Sequence, residues 1–309
     1  MPCSSWRLNW ICRFCGADMG MNLMQQTNGR LNHGVMDYPL ITVIVAVYNG
    51  ARTLQQCIDS IAQQDYPAKE LIVIDGASTD GTVGILEQNK EKIAYWVSEP
   101  DRGIYNAWNK GLEQVRGEWI CFLGADDYFL DKKVLGQAAK YLAMLPDNIC
   151  VVYGQVMLLN TEEAPYPVGV PWEKIKNRFR QFMCIPHQGV LHRRRLFEVH
   201  GLFDESFRIA GDYDLLLRDL KTSDAFFIPN LILTGMRLGG VSTDPGNALA
   251  SLREFRRAQL NNGLRFPGWV WLTAVARAYA RLLLVNLLGE PVARKVLDFR
   301  RRIMRKLLS

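Results

Sequence analysis

Ile41-Thr-Val-Ile-Val-Ala-Val47 is a continuous apolar run, mostly β-branched, closed by Pro39 on one side and Asn49-Gly50 on the other. Branching at Cβ favours extended backbone, and an unbroken apolar run belongs to a strand covered on both faces, as in a parallel sheet. Outward from this run the apolar period changes. Leu54, Cys57, Ile58 and Ile61 recur at helical spacing, and Pro67 follows. Glu70-Leu-Ile-Val-Ile-Asp75 reads as a second strand, 80–90 as a short helix and Ile93-Ala-Tyr-Trp-Val97 as a third strand. A helix over 104–115 precedes Glu118-Trp-Ile-Cys-Phe-Leu123, and a helix over 132–144 precedes Ile149-Cys-Val-Val-Tyr153. Strands alternating with helices at this spacing predict an α/β domain with a mainly parallel central sheet, whose ligands bind at the carboxyl ends of the strands.

The remaining chain is less regular. Pro186-His-Gln-Gly-Val-Leu-His192 reads as a strand, 212–220 as a helix start and 226–238 as an apolar stretch. This divides the chain into an extension over 1–38, expected to be loosely ordered, a domain over 39–245 with halves 39–153 and 154–245, and a helical tail over 246–309. The segment 269–288 is apolar but carries Arg277 and Arg281 near its middle, which argues against a spanning helix. The stretch 294–308 alternates basic and apolar residues at helical spacing, the pattern of a helix lying in an anionic membrane interface; a basic helix packed on the domain is the alternative.

Composition narrows the class. The 309 residues are 49% hydrophobic, enough for one large core. Net charge is +6, yet from Ser251 onward 13 Lys+Arg face three Asp+Glu, so the body is mildly acidic and the tail basic. The tail lacks the aromatic spacing of a nucleic-acid binder. Seven cysteines include the lone pair Cys12-Arg-Phe-Cys15 without a second ligand pair, so reduced thiols in a cytoplasmic protein are expected. The first residues lack the apolar core and cleavage site of a signal peptide.

Several polar groups fall at predicted strand ends. Asp126 and Asp127 follow the fourth strand in Leu123-Gly-Ala-Asp-Asp-Tyr128. Adjacent carboxylates repel, and a divalent cation such as Mg²⁺, bound by one or two carboxylates plus phosphate oxygens, removes that cost; a solvated turn is the plain alternative. Asp75, in Ile74-Asp-Gly-Ala-Ser-Thr-Asp-Gly81, can accept bonds from a base or ribose, and Tyr48-Asn49 can stack on or bond a base, unless both are ordinary turns. Asp101 and Arg102 precede a helix N-terminus, a natural anion site. Asp212 and Asp214, in Ile209-Ala-Gly-Asp-Tyr-Asp-Leu215, offer a general base for an acceptor hydroxyl or a capped helix start. His187 and His192 are further candidates for acceptor or metal contact, though a lone histidine is more often structural.

The order and spacing of these segments resemble family 2 glycosyltransferases of the A-type nucleotide-diphospho-sugar transferase fold, a Rossmann-like architecture, over residues 39–243. The motifs are Val-Tyr-Asn-Gly50, Ile-Asp-Gly-Ala-Ser-Thr-Asp-Gly-Thr82, Glu-Pro-Asp-Arg-Gly-Ile-Tyr-Asn-Ala-Trp-Asn-Lys-Gly111, Gly-Ala-Asp-Asp127 and Gly-Asp-Tyr-Asp214; the late segments, including Gly239-Gly-Val-Ser242, resemble exopolysaccharide transferases of the colanic-acid type. The resemblance implies that Ala46, Tyr48, Asn49 and Asp75 hold the nucleoside, that Asp101 and Arg102 line the donor pocket, and that Asp126, with Asp127, faces Mn²⁺ or Mg²⁺. It implies Asp212 as the base of a single, inverting displacement. Three glycines depart from the family pattern: Gly76, Gly124 and Gly211 stand where acidic residues are common. The expected enzyme moves a sugar from a nucleotide-diphosphate donor, a UDP-sugar by family, to a lipid-linked saccharide, working on the inner face of the plasma membrane with peripheral contact through the tail. A polyprenyl-phosphate sugar transferase and a catalytically degenerate nucleotide-binding scaffold are the rivals.

Overall fold

The computed structural model describes residues 38–159, 164–237 and 247–289. The expectations for 1–37, for Cys12 and Cys15, for Gly239–Ser242 and for 294–308 lie outside them.

Eight strands form one sheet: β1 (Ile41–Val47), β2 (Lys69–Asp75), β3 (Tyr95–Ser98), β4 (Trp119–Gly124), β5 (Val151–Leu159), β6 (Tyr166–Val168), β7 (Val190–Arg193) and β8 (Phe226–Arg237). The order is β3-β2-β1-β4-β7-β5-β6, with β8 on β5. β3, β2, β1 and β4 run parallel, as does β8 on β5, whereas β7 is antiparallel to both its neighbours. The helices are α1 (Leu54–Ala62), α2 (Thr82–Gln88), α3 (Ile104–Leu112), α4 (Val134–Leu142), α5 (Trp172–Phe179), α6 (Arg194–His200), α7 (Gly211–Leu220), α8 (Ala248–Asn261) and α9 (Gly268–Leu288).

Period-two alternation divides the buried residues of the central strands between two faces. Ile44, Ile72, Ile74, Ile120 and Phe122 join Tyr105 and Trp108 of α3 and Leu215–Leu217 of α7 in one cluster. Val43, Val45, Val73, Cys121 and Leu123 join Leu54, Cys57 and Ile58 of α1 and Leu135 and Ala138 of α4 in the other. With helices on both faces, the sheet buries β1 almost completely, which is why its sequence is uniformly apolar. Each such Ile or Leu contributes about 1.5–3 kcal/mol on burial.

Two segments differ from the sequence reading. The strand expected from Pro186 begins only at Val190, because Pro186 has no N–H to give a ladder and 187–189 form a 3-10 turn. The stretch taken as tail from 246 begins with a helix of the domain: α8 packs on α7 and places Ala258 in the main core.

One buried carboxylate ties three strand starts together. Glu70 of β2 accepts hydrogen bonds from Thr42 Oγ1 (2.6 Å), Arg116 N (2.8 Å) and Arg116 Nε (2.7 Å). Burial opposes its ionisation, but the Thr42 and Arg116 bonds outweigh it and hold its pKa below the usual 4.5. Glu70→Ala leaves the Thr42 hydroxyl and the Arg116 main-chain N–H without their acceptor and is expected to cost about 3 kcal/mol in urea unfolding. Because the folded pKa is depressed, this stabilisation is present above pH 4.5 and is lost as the pH falls through the folded value.

Candidate functional site

The carboxyl ends of β2, β1 and β4 lie side by side, with Val47 opposite Asp75 and half-buried Ala46 opposite Gly124. Two strand spacings put the ends of β2 and β4 about 10 Å apart.

The loops after β1 and β2 are laced together. Asn49 N–H donates to Ser78 Oγ (2.7 Å), Thr79 N–H to Asn49 Oδ1 (2.9 Å), Gly50 N–H to Thr82 Oγ1 (3.0 Å) and Ala51 N–H to Asp80 Oδ2 (3.0 Å). The Ser-Thr-Asp-Gly-Thr motif therefore builds the wall of the site. Asn49, expected to bind the donor, spends its side-chain oxygen on Thr79. Asp75, also expected there, is 0% exposed and receives Ser78 Oγ, Ser78 N (2.9 Å) and Ser98 Oγ (2.6 Å). Both oxygens are used inside the protein, so Asp75 shapes the loop instead of facing a ligand.

The carboxylate that reaches this mouth is Asp101. A Cβ at Gly76 would lie 2.6 Å from Asp101 Oδ2 and 3.4 Å from the Tyr48 ring, so the missing side chain at 76 leaves the space that Asp101 fills beside Tyr48. Asp101 Oδ1 caps Gly103 N (2.8 Å). Tyr48 is 69% exposed, its ring free to stack. Arg102 is largely exposed and pairs with Glu205 (2.5 Å), which also accepts from Asn106 and Asn109 (3.0 Å each).

At the β4 end the two aspartates diverge. Asp126 is half-buried, and among the described residues no donor bonds its carboxylate; Arg237 bonds only its main-chain oxygen (3.2 Å). Asp127 is buried and accepts from Gly124 N–H (3.2 Å). Burial, reinforced by the Asp126 charge, pushes Asp127 up to about 8, so without a bound cation the pair carries close to a single negative charge, centred on Asp126. Gly124 gives the Asp126 carboxylate its space, since a Cβ there would lie 2.7 Å from Asp126 Oδ1. Among the described residues no three His, Cys, Asp or Glu side chains converge on a metal position. The arrangement fits a Mg²⁺- or Mn²⁺-type ion held by one carboxylate and completed by substrate oxygens.

Asp212 enters the same surface from α7. It is half-buried, and its Oδ1 accepts from Tyr213 N–H (2.8 Å) and the Tyr105 hydroxyl (3.3 Å). Tyr105 lies in the first turn of α3, just past Asp101 and Gly103, which links the base candidate to the donor mouth. Burial raises Asp212 to about 6 against the opposing hydrogen bonds. Burial also raises Tyr105 well above 10, so its hydroxyl remains a donor. Asp214 is committed elsewhere, to Arg218 (2.6 Å) and Asn262 (3.1 Å). His187 and His192 lie beneath the site among Trp108, Phe122, Phe197 and Phe203, where burial holds His187 far below 6.5 and His192 at about 3. They are neutral core residues.

Residues 42–194 match the model of glycosyl transferase family 2. A PGL/p-HBAD biosynthesis glycosyltransferase of Mycobacterium bovis is 31% identical over 59% of this chain and 70% of its own length. An uncharacterized glycosyltransferase of Mycobacterium tuberculosis is 32% identical over 79% of this chain and 90% of its own. The chain belongs to glycosyl transferase family 2. The glycosyltransferase is thus an enzyme that draws on nucleotide-sugar donors, and its solved neighbours agree on the A-type fold. S. aureus TarS 1–349, in complex with UDP, superposes with a TM-score of 0.57 at 19% identity, covering 78% of this chain and 71% of its own. The mannosyltransferase PcManGT of Pyrobaculum calidifontis, with GDP-Man and Mn²⁺, gives 0.58 at 20% identity over 86% and 80%.

Proposed function

We propose that the glycosyltransferase is an inverting enzyme in which Asp212 takes the proton of an acceptor hydroxyl as that oxygen attacks the anomeric carbon and the nucleoside diphosphate departs. The observation that carries this reading is the setting of Asp212: a half-buried carboxylate, oriented by Tyr105 and raised to about 6, is ionised at neutral pH and basic enough to accept a proton. Ala46 floors the nucleoside position, Tyr48 stacks on the base and Asp101 Oδ2 accepts an N–H from its edge. Asp126 holds a divalent cation, which neutralises charge on the leaving diphosphate when bound. TarS complexes contain UDP or UDP-GlcNAc and the mannosyltransferase contains GDP-Man with Mn²⁺, which supports a sugar nucleotide and a cation; we take the donor as a UDP-sugar.

The acceptor we favour is a lipid-linked saccharide of bacterial surface or exopolysaccharide synthesis, met at the cytoplasmic membrane face. Among the described residues no helix is long and apolar enough to cross a membrane. Instead, Phe266 (65% exposed) and Trp269 (74% exposed) project at the α8–α9 turn, sharing a recess with Arg180 and Arg265, and Leu283 and Leu287 are exposed on α9. Aromatic and apolar groups beside arginines suit an interfacial position. The same surface suits a polyprenyl phosphate, and a sugar–phosphate–lipid product would assign that reaction instead.

The test is nucleotide release from a panel of UDP-, GDP- and dTDP-sugars, with the anomeric configuration of the product read by NMR. Inversion is expected; retention contradicts a single displacement. Two further outcomes follow. The acid limb of kcat/KM falls below about pH 6, since the base must be deprotonated, and is read from a profile over about pH 5–8. Asp101→Asn turns an acceptor into a donor and weakens donor binding by about 1.5–3 kcal/mol, measured by calorimetry.

A further inference from the structure

We infer that Glu254, on α8 and outside every motif of the family, is a positioning residue that fastens the turn launching α7 and so holds Asp212 against Tyr105. The inference rests on Asp212 being the base. One Glu254 carboxylate collects the N–H groups of Arg208 (3.0 Å), Ile209 (2.8 Å) and Ala210 (2.9 Å). These lie immediately before α7, whose N-cap residue, Ala210, has no side-chain oxygen of its own. A carboxylate there also sits favourably at the positive end of the helix dipole.

Gly211 explains why this support comes from another helix. A Cβ at 211 would lie 2.9 Å from Cε2 and Cζ of Tyr105, so the ring occupies the space a side chain beside the base would need. The acidic group common at 211 in the family is therefore excluded by Tyr105 of α3, and a carboxylate is delivered to the same turn by α8. The titratable groups facing Asp212 are Tyr105 from α3 and Glu254 from α8, and the negative charge of Glu254 adds to the upward push on both Asp212 and Tyr105.

The test uses the full chain with Glu254→Gln and Glu254→Asp, assayed for kcat, donor KM and the pH profile of kcat/KM. E254Q is expected to lower kcat by about tenfold to a hundredfold, the scale of a small misplacement of a reacting group, with donor KM within about twofold. Its acid limb moves to lower pH because a negative charge beside Asp212 is gone. E254D keeps the charge but draws it back by one methylene, so it lowers kcat and leaves the limb in place. Amide exchange at 208–210 in the folded variants rises in both. Unchanged kcat and unchanged limb in both variants, with Asp212→Asn inactive, overturn the role of Glu254 and leave the base in place. A fully active Asp212→Asn overturns the base instead.

Discussion

Asp212→Asn lowers kcat by roughly 10²–10⁴-fold while leaving donor binding intact. The substitution is nearly isosteric and keeps an oxygen for the Tyr105 hydroxyl and the Tyr213 N–H. What it removes is the ability to accept a proton. Among the described residues no neighbour is free to replace it: Asp214 is buried and held by Arg218 and Asn262, Tyr105 remains protonated, and the Glu254 carboxylate is taken up by the N–H groups of 208–210. The same substitution is expected to raise stability at pH 7. Asp212 has a folded pKa above its ordinary 3.8, so its contribution to folding is fully present below 3.8 and is lost as the pH rises through about 6. Removing that ionisation relieves the strain, the usual exchange between stability and activity at a catalytic group. Steady-state kinetics and thermal melting on one preparation check both halves.

Asp126→Ala is expected to abolish cation-dependent donor binding and to lower kcat/KM by roughly 10²–10³-fold, the scale for losing one electrostatic contact to developing charge. Asp127 stands next in sequence but cannot take over. It is buried and bonded to Gly124 N–H. Asp127→Asn preserves that bond and is expected to leave cation dependence unchanged. Isothermal titration of Mn²⁺ and donor into both variants separates the two aspartates.

The fold was readable because burial on both faces writes itself into β1, β2 and β4 as unbroken apolar runs, and because the helices between them carry Leu54-Cys57-Ile58-Ile61 spacing. Antiparallel β7 was misjudged at its start because the apolar signal lies in Val190 and Leu191 alone, while His187-Gln188-Gly189 before them form a turn. The site was legible as a set of positions at strand ends, but not as a set of free and occupied groups. Asp75, Arg102 and Asp127 look alike on paper as polar residues at or just past strand ends. Ser98, Glu205 and the buried side of β4 decide what each does, and two of those partners lie 23 and 103 residues away. Ser78, Asp80 and Thr82 were visible as a Ser-Thr-Asp-Gly-Thr turn, whose affinity for backbone N–H groups is general, yet their target on the β1 loop was not. Glu254 carried no signal at all, since its N–H partners lie 44–46 residues away.

The central claim, that the strand ends of β2, β1 and β4 form a cation-assisted nucleotide-sugar site, is tested most directly by a thermal-shift titration with UDP-, GDP- and dTDP-sugars, with and without Mn²⁺. A ligand that binds only the folded chain stabilises it by about 2.7 kcal/mol at a hundredfold excess over Kd. A Mn²⁺-dependent rise in Tm with one nucleotide, absent in Asp126→Ala, is the predicted result. An equal rise in Asp126→Ala, or no rise with any nucleotide in the folded wild type, contradicts it.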